Sequence, residues 1–332
     1  SIGSQAQCSF QWRDSTRRDS AAFCVQSRVV VVGQMHPLGN TMTLEGAATA
    51  YQSLARHGQE SAAQLRADKR YVALQTATVR LLQAAFSNGI GLEDDEHWRS
   101  SLATVAWVHG VLEIRNTCER EIMDLIRHHA CGCIEYFTDW DLCSLLWGFA
   151  SFDSSAHHAL FDLAAPTILA NQKRYNLSNA SAVAWAYANV HPFDVHVIVD
   201  AMITVAYDLV QAQMHMTADS QTAKDVTYLL WSAATAQVKP RGRQVLVLAS
   251  VVSHNNFMGA NALSFSIACW SISRLGVVAD DFFTQASTAL RDANQSSMNL
   301  QGVHIIKILW SFAAQLKLGS GVAMALCAAP EF

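Results

Sequence analysis

The chain has 332 residues, of which 51% are hydrophobic and 15% charged, which is too apolar for a disordered chain and enough to bury a large core. The formal net charge of −4 excludes a strongly basic nucleic-acid binder. No window holds eighteen consecutive apolar residues, so no transmembrane segment is expected.

Residues 1–40 read as an extended N-terminal arm without hydrophobic period. Residues 1–80 hold nine Lys/Arg and five Asp/Glu, a net of +4, and residues 81–332 hold fourteen and twenty-two, a net of −8. Such asymmetry fits a basic arm beside a more neutral body, or scatter of surface charge. Arg13, Arg17, Arg18 and Arg28, set among several Ser, look like the flank of an organelle transit segment, from which Asp14 and Asp19 depart. Arg28 to Gly33 is a short β-branched run and the one convincing strand candidate. The Gly-rich fingerprint of a nucleotide-binding first strand is missing after it.

Residues 41–95 read as degenerate or capping helices. Leu44 to His57 forms one, with Gly58 in the stop position. Gln59 to Ser87 is mostly helical. No Trp signature appears in this section, and terminal repeats are commonly atypical because they cap a stack.

Residues 96–332 carry a recurring signature. In its clearest copy, Asp141 to Ala150, apolar residues stand five and two positions before Trp147, and small residues follow it. Copies surround Trp185, Trp231, Trp270 and Trp310, and a looser one surrounds Trp107. The steps between these Trp are 40, 38, 46, 39 and 40 residues. Each unit reads as a helical hairpin: a Trp-bearing helix, a break, then a second helix. The breaks fall at Phe152 to Ser155, His191-Pro192, Lys239 to Gly242, Gly276 and Gly319 to Gly321. Second helices are expected from about Ala156 to Ala170, Asp194 to Gln211, Gln244 to Ser253 and Asp280 to Ala293. One hairpin cannot bury its apolar face alone, so the expected fold is all-α, an α-solenoid of stacked hairpins with a period of about forty residues. The Trp side chains are expected as repeat-core knobs, because their apolar neighbours share nearly the same face. The alternative is a row of exposed platforms for stacked bases.

Chemistry is sparse. Six residues before each Trp the side chain is polar: Ser101, Asp141, Asn179, Asp225, Ser264 and His304. These could read bases from a concave face, or serve as helix caps and first-turn residues. The cluster His128-His129-Ala130-Cys131-Gly132-Cys133 lacks a second Cys/His pair at zinc spacing, so no metal site is expected. The eight Cys show no secreted spacing and suit a reducing compartment. No catalytic constellation and no cofactor or small-molecule site is read. The RNA-contact candidates are Arg13, Arg17, Arg18 and Arg28 in the arm, with Lys239, Arg241 and Arg243 at one break, because arginine pairs with phosphate through two bonds.

The unit resembles the organellar octotricopeptide and heptatricopeptide repeats, relatives of the repeats that precede the domain abundant in apicomplexans. The resemblance rests on Asp141-Leu142…Leu145-Leu146-Trp147-Gly148-Phe149-Ala150, Asn179…Ala184-Trp185-Ala186-Tyr187-Ala188, Asp225-Val226…Leu229-Leu230-Trp231 and Ile305…Ile308-Leu309-Trp310-Ser311-Phe312-Ala313. It covers about residues 96–332. The family's usual Asn three before the Trp is replaced by Thr104, Ser144, Ala182, Tyr228, Ile267 and Lys307, and no C-terminal nuclease-like domain of the kind is expected. The resemblance implies a mitochondrial or plastid protein that binds organellar RNA. The expected function is a non-catalytic scaffold in an organellar ribonucleoprotein, foremost a mitochondrial ribosome, with rRNA and neighbouring proteins as partners. The alternative is a protein-binding scaffold subunit of another organellar membrane or assembly complex with no RNA contact.

Overall fold

A computed structural model describes residues 42–57, 62–87, 95–112, 115–153, 157–212, 220–257, 260–293 and 300–315. The arm of residues 1–40, and with it the strand candidate at Arg28 to Gly33, lies outside them. Among the described residues the chain is all-helical, with no strand. Helices α1 Leu44–His57, α2 Ala62–Ala67 and α3 Lys69–Ser87 come first. The Trp-bearing helices are α4 Glu96–Leu112, α6 Asp139–Phe152, α8 Leu177–Val190, α10 Ser220–Thr235, α12 Ala262–Arg274 and α14 Gly302–Ala314. Between them lie α5 Thr117–Gly132, α7 His158–Asn171, α9 Val195–Ala212, α11 Gly242–Ser253 and α13 Asp280–Ala293.

Local sequence sets the helix starts. Thr138, Asn176 and Asn261 stand immediately before α6, α8 and α12. Their side-chain oxygens accept the backbone N–H of Asp141, Asn179 and Ser264 at 3.1, 2.8 and 2.8 Å. At α14 the pair is reversed, and the Gln301 N–H donates to His304 Nδ1 at 3.1 Å. Each such cap is worth about 1 kcal/mol. All four cap residues lie nine positions before a Trp. The long helical run expected from Gln59 to Ser87 is interrupted at Asp68, whose carboxylate takes the Arg70 N–H at 2.8 Å and its guanidinium at 2.6 Å. That carboxylate competes with the helical backbone and starts α3.

The helices pack in two rows. In one, α1, α4, α6, α8, α10, α12 and α14 each lie against the next. In the other, α3, α5, α7, α9, α11 and α13 follow one another with thinner contact. Residues two positions after each Trp face the second row. Phe149, Tyr187, Ala233, Ile272 and Phe312 are all fully buried there. Tyr187 donates its hydroxyl proton to the Phe161 carbonyl of α7 at 2.7 Å, and its ring meets Phe161 edge-on. The residues one position after each Trp let the first row close up. Gly148, Ala186, Ser232, Ser271 and Ser311 are buried, and the three Ser turn their hydroxyls back onto their own helix at 2.6–2.7 Å. The α4–α6 crossing is tightest: a Cβ on Gly148 would lie 2.4 Å from the Ala106 carbonyl oxygen.

The Trp side chains do not share one environment. Trp147 and Trp185 are buried, Trp107, Trp231 and Trp270 are half-buried, and Trp310 is 45% exposed. The rings of Trp107 and Trp147 lie 6.5 Å apart, and those of Trp147 and Trp185 stack at 5.7 Å and 27°. The Trp therefore sit between successive helices of one row, near its open side, while the centre of the core falls to the residues at −5, −2 and +2. All six were expected as repeat-core knobs; Trp147 and Trp185 take that place, Trp107, Trp231 and Trp270 only partly, and Trp310 is exposed.

Helix α9 is the one described helix long and apolar enough to cross a membrane by length and composition. Its Val195, Ile198, Val199, Met202, Ile203 and Ala206 are buried within the fold, while His196, Asp200, Thr204 and Asp208 face out. That is the pattern of an amphipathic core helix.

Two buried polar groups sit near the first layers. Glu119 on α5 accepts the hydroxyl proton of Tyr71 and, at 3.1 Å, Gln75 Nε2, both from α3. Burial first, and this carboxylate second, push the Tyr71 phenol well above its ordinary range. His109, at the position held elsewhere by Phe149, Tyr187 and Phe312, is fully buried, with Nδ1 bonded to the Val105 carbonyl at 2.8 Å. Burial pushes its pKa down to about 4. Above pH about 6.5 the imidazole is neutral folded or unfolded. Between there and pH about 4 the unfolded chain binds a proton that the folded chain refuses, so stability falls as pH falls. The full loss is about 3 kcal/mol. Urea denaturation between pH 7 and 4.5 should show this slope, and His109→Phe should flatten it.

Candidate functional site

The exposed cations named from the sequence meet at the turn between α10 and α11. Helix α10 closes with the Val238 N–H bonded to the Ala233 carbonyl at 2.9 Å and with Gln237 at φ 57°. That is a Schellman ending with Gln in the place usually given to Gly. Val238 is buried and anchors the turn. The chain then runs out through Lys239, Pro240 and Arg241 and re-enters as α11. The Arg241 N–H donates to Gln244 Oε1 at 3.0 Å, and Gln244 Nε2 reaches Thr204 Oγ1 of α9 at 3.3 Å. Thus Lys239 and Arg241 on the turn and Arg243 in the first turn of α11 are exposed, the turn is fixed at both ends, and none of the three is in an ion pair among the described residues.

A shallow, open cleft of about 660 Å³ borders this turn. His196, Val197, Asp200 and Thr204 of α9 form one wall, and Gln237 and Lys239 form the other. The preceding turn, between α8 and α9, carries His191 at φ 53° and then Phe193, which is 92% exposed. Desolvation first, then the charges of His196 and His158, lower the His191 pKa. The edge thus offers an exposed aromatic face, the imidazoles of His191 and His196 and three permanent cations, beside the N-termini of α9 and α11. Asp194 and Asp200 lie among them, so positive potential is local to residues 239–243. Such a set can hold phosphate oxygens and stack one base.

Compared with known protein families and with curated proteins, the chain matches none.

The other candidates fall elsewhere. Arg13, Arg17, Arg18 and Arg28 lie outside the described residues. The polar row six before each Trp is turned inward: Ser101, Asp141, Asn179, Asp225 and His304 are buried, and Ser264 is half-buried. Four of the six stand at the third helical position, beside the caps described above. Asp225 instead joins two layers. It accepts hydroxyl protons from Ser178 and, through its carbonyl at 2.9 Å, from Ser181, both on α8. The row is thus turned into the stack, and Asp225 ties two of its helices together.

The His/Cys cluster disperses. His129 donates through Nε2 to the Leu82 carbonyl at 3.0 Å, Cys133 bonds the His129 carbonyl at 3.3 Å, and His128 packs edge-on against Phe86. No group of three His, Cys, Asp or Glu able to hold a metal occurs among the described residues. Cys143 and Cys269 are buried, and burial raises both thiols well above their ordinary range, so they behave as small hydrophobes. Phe193 escaped sequence reasoning. Its signal was present, because an aromatic directly after a His-Pro break cannot sit on a helical face.

Proposed function

We propose that the chain is an α-solenoid of hairpins with a period of about forty residues, acting as a non-catalytic scaffold in an organellar ribonucleoprotein, foremost a mitochondrial ribosome. The nearest-neighbour order of both helix rows and the recurrent caps support the solenoid reading. The observation that carries the RNA contact is the fixed turn with Lys239, Arg241 and Arg243 exposed and Phe193 on the turn before it. Single-stranded rRNA would lie along this edge, its phosphates on the cations and one base on Phe193. The likeness of the Trp unit to organellar RNA-binding repeats points the same way.

The test is ultraviolet crosslinking in the native organelle with peptide mapping. Crosslinks within residues 190–245 or in the arm support the reading. Recovery of protein partners alone would sink it. In vitro, replacing Lys239, Arg241 and Arg243 together with Ala should make the dependence of log affinity on log salt for single-stranded RNA shallower by about 2. The far-ultraviolet spectrum should not change, because all three are exposed.

A second reading, a scaffold that binds only protein, is favoured by one observation: the apolar outer face of α14, where Val303, Ile306 and Trp310 are all exposed.

A further inference from the structure

Asp200 is out of place on an edge that holds only phosphate. It stands on α9 in one wall of the cleft of about 660 Å³, with Lys239 in the wall opposite. Both side chains are exposed, and neither is in an ion pair among the described residues. An ionised carboxylate only accepts hydrogen bonds, and it repels phosphate. The cleft is therefore a poor seat for the RNA backbone. Arg241 and Arg243, which suit phosphate, do not line it.

The two walls are tied to each other. Thr204, one turn beyond Asp200, donates its hydroxyl proton to the Asp200 carbonyl at 3.0 Å and accepts from Gln244 Nε2 at 3.3 Å. Gln244 Oε1 in turn takes the Arg241 N–H at 3.0 Å, and buried Val238 anchors the other end of that turn. Asp200 and Lys239 are thus carried on backbone of set separation. Val197, Ala201 and Val238 give the cleft an apolar floor between them. The other charged and titratable groups nearby are few. His196 shares the wall of Asp200, and Asp194 stands just before α9. Past Gln172 at the border of the cleft, Lys173 is exposed and Arg174 is held by Asp139 at 3.0 Å.

An apolar floor between a carboxylate and an ammonium suits a flat ligand with donors along one edge and acceptors along the next. Nucleobases are flat ligands read by their edges. Uracil has one ring N–H between two carbonyls. Adenine and cytosine have an amino group beside a bare ring nitrogen. Each of the three would set a lone pair against the second carboxylate oxygen. Guanine alone among the four offers two adjacent donors, on N1 and N2, to a carboxylate. Its next two edge atoms, O6 and N7, both accept from an ammonium.

We infer that the cleft between Asp200 and Lys239 is a guanine-selective base pocket for single-stranded RNA. Asp200 accepts from N1 and N2, Lys239 donates to O6 and N7, and the ring lies on Val197 and Ala201. Phe193, three residues before His196, stacks a neighbouring base. A direct Asp200–Lys239 contact in the free protein would be a solvent-exposed pair worth little, so guanine displaces it at small cost. The inference rests on the RNA contact proposed above and adds a sequence preference to it.

The test uses the full chain and fluorescein-labelled uridine octamers that carry one central G, A, C or inosine, or none, read by anisotropy at low salt. The G octamer should bind about tenfold more tightly than the A, C and all-uridine octamers. Inosine, which lacks the N2 amine, should lose most of that gain. Asp200→Asn replaces one accepting oxygen with a donor, so the ratio of G to uridine affinity should fall to about one. The exposure of Asp200 keeps the variant folded, which circular dichroism checks. Equal affinity for all octamers, a preference for A or C, or a G preference that survives Asp200→Asn overturns the guanine pocket and leaves the RNA contact standing. Failure of every octamer to bind at about 1 mM overturns both.

Discussion

Gly148→Ala should destabilise the protein, although Ala is the better helix former by about 1 kcal/mol. The added Cβ would stand 2.4 Å from the Ala106 carbonyl oxygen, 2.5 Å from its carbon and 2.7 Å from the Trp107 nitrogen. All three are backbone atoms of α4, so no rotamer change relieves the overlap. The two helices must part, and parting opens the contacts of Leu102, Val105, Leu142 and Leu145, all of which are buried to within 1%. Overpacking of this kind costs about 1–3 kcal/mol and sometimes more, and here it falls on the tightest crossing of the row. Urea denaturation and hydrogen exchange in α4 and α6 would show it. A Gly148→Ala protein as stable as the parent would mean that the crossing is looser than described. Gly242→Ala is the matched control, because nothing lies within 4 Å of its added Cβ. It should be neutral or slightly stabilising.

The Trp residues should divide sharply when each is truncated. Trp185→Ala is expected to cost about 3–5 kcal/mol, because its ring is 5% exposed and stacked on Trp147. Trp310→Ala should cost less than about 1 kcal/mol, because its ring is 45% exposed. Trp231, half-buried, falls between them. Denaturant midpoints measured on the three variants rank them directly. Equal losses would mean that Trp310 is covered in solution.

Much of the helix pattern was legible in the sequence, because the hydrophobic period and the breaks are local. Leu44–His57 and Asp280–Ala293 fall where the period and the stop signals place them. What escaped was mostly non-local. Period alone put Trp on the buried face, yet whether a ring is covered depends on the next helix, which Trp310 lacks among the described residues. The inward turn of Asp225 depends on Ser178, 47 residues earlier. The caps Thr138, Asn176, Asn261 and Gln301 were legible as polar residues at a constant nine positions before Trp, but the polar residues three positions later carry the same cap chemistry and mask them. For the candidate site, the cations at residues 239–243 were visible as a charge cluster. Their fixed geometry was not, because it rests on Gln244 reaching across to Thr204 of another helix. Phe193 was signalled only by its place directly after the His191-Pro192 break, against the weight of an apolar composition in which an aromatic reads as core.

The ring ladder of Trp107, Trp147 and Trp185 has an optical consequence. With centroids 6.5 and 5.7 Å apart, the three indoles are close enough to exchange excitation, and their emission is expected to be partly depolarised. Trp310, wet and remote from them along the row, emits redder light. Separation of α4 from α6, or of α6 from α8, would uncouple the ladder and restore polarisation before any helix unwinds. Indole anisotropy is therefore expected to report on the seating of these three layers.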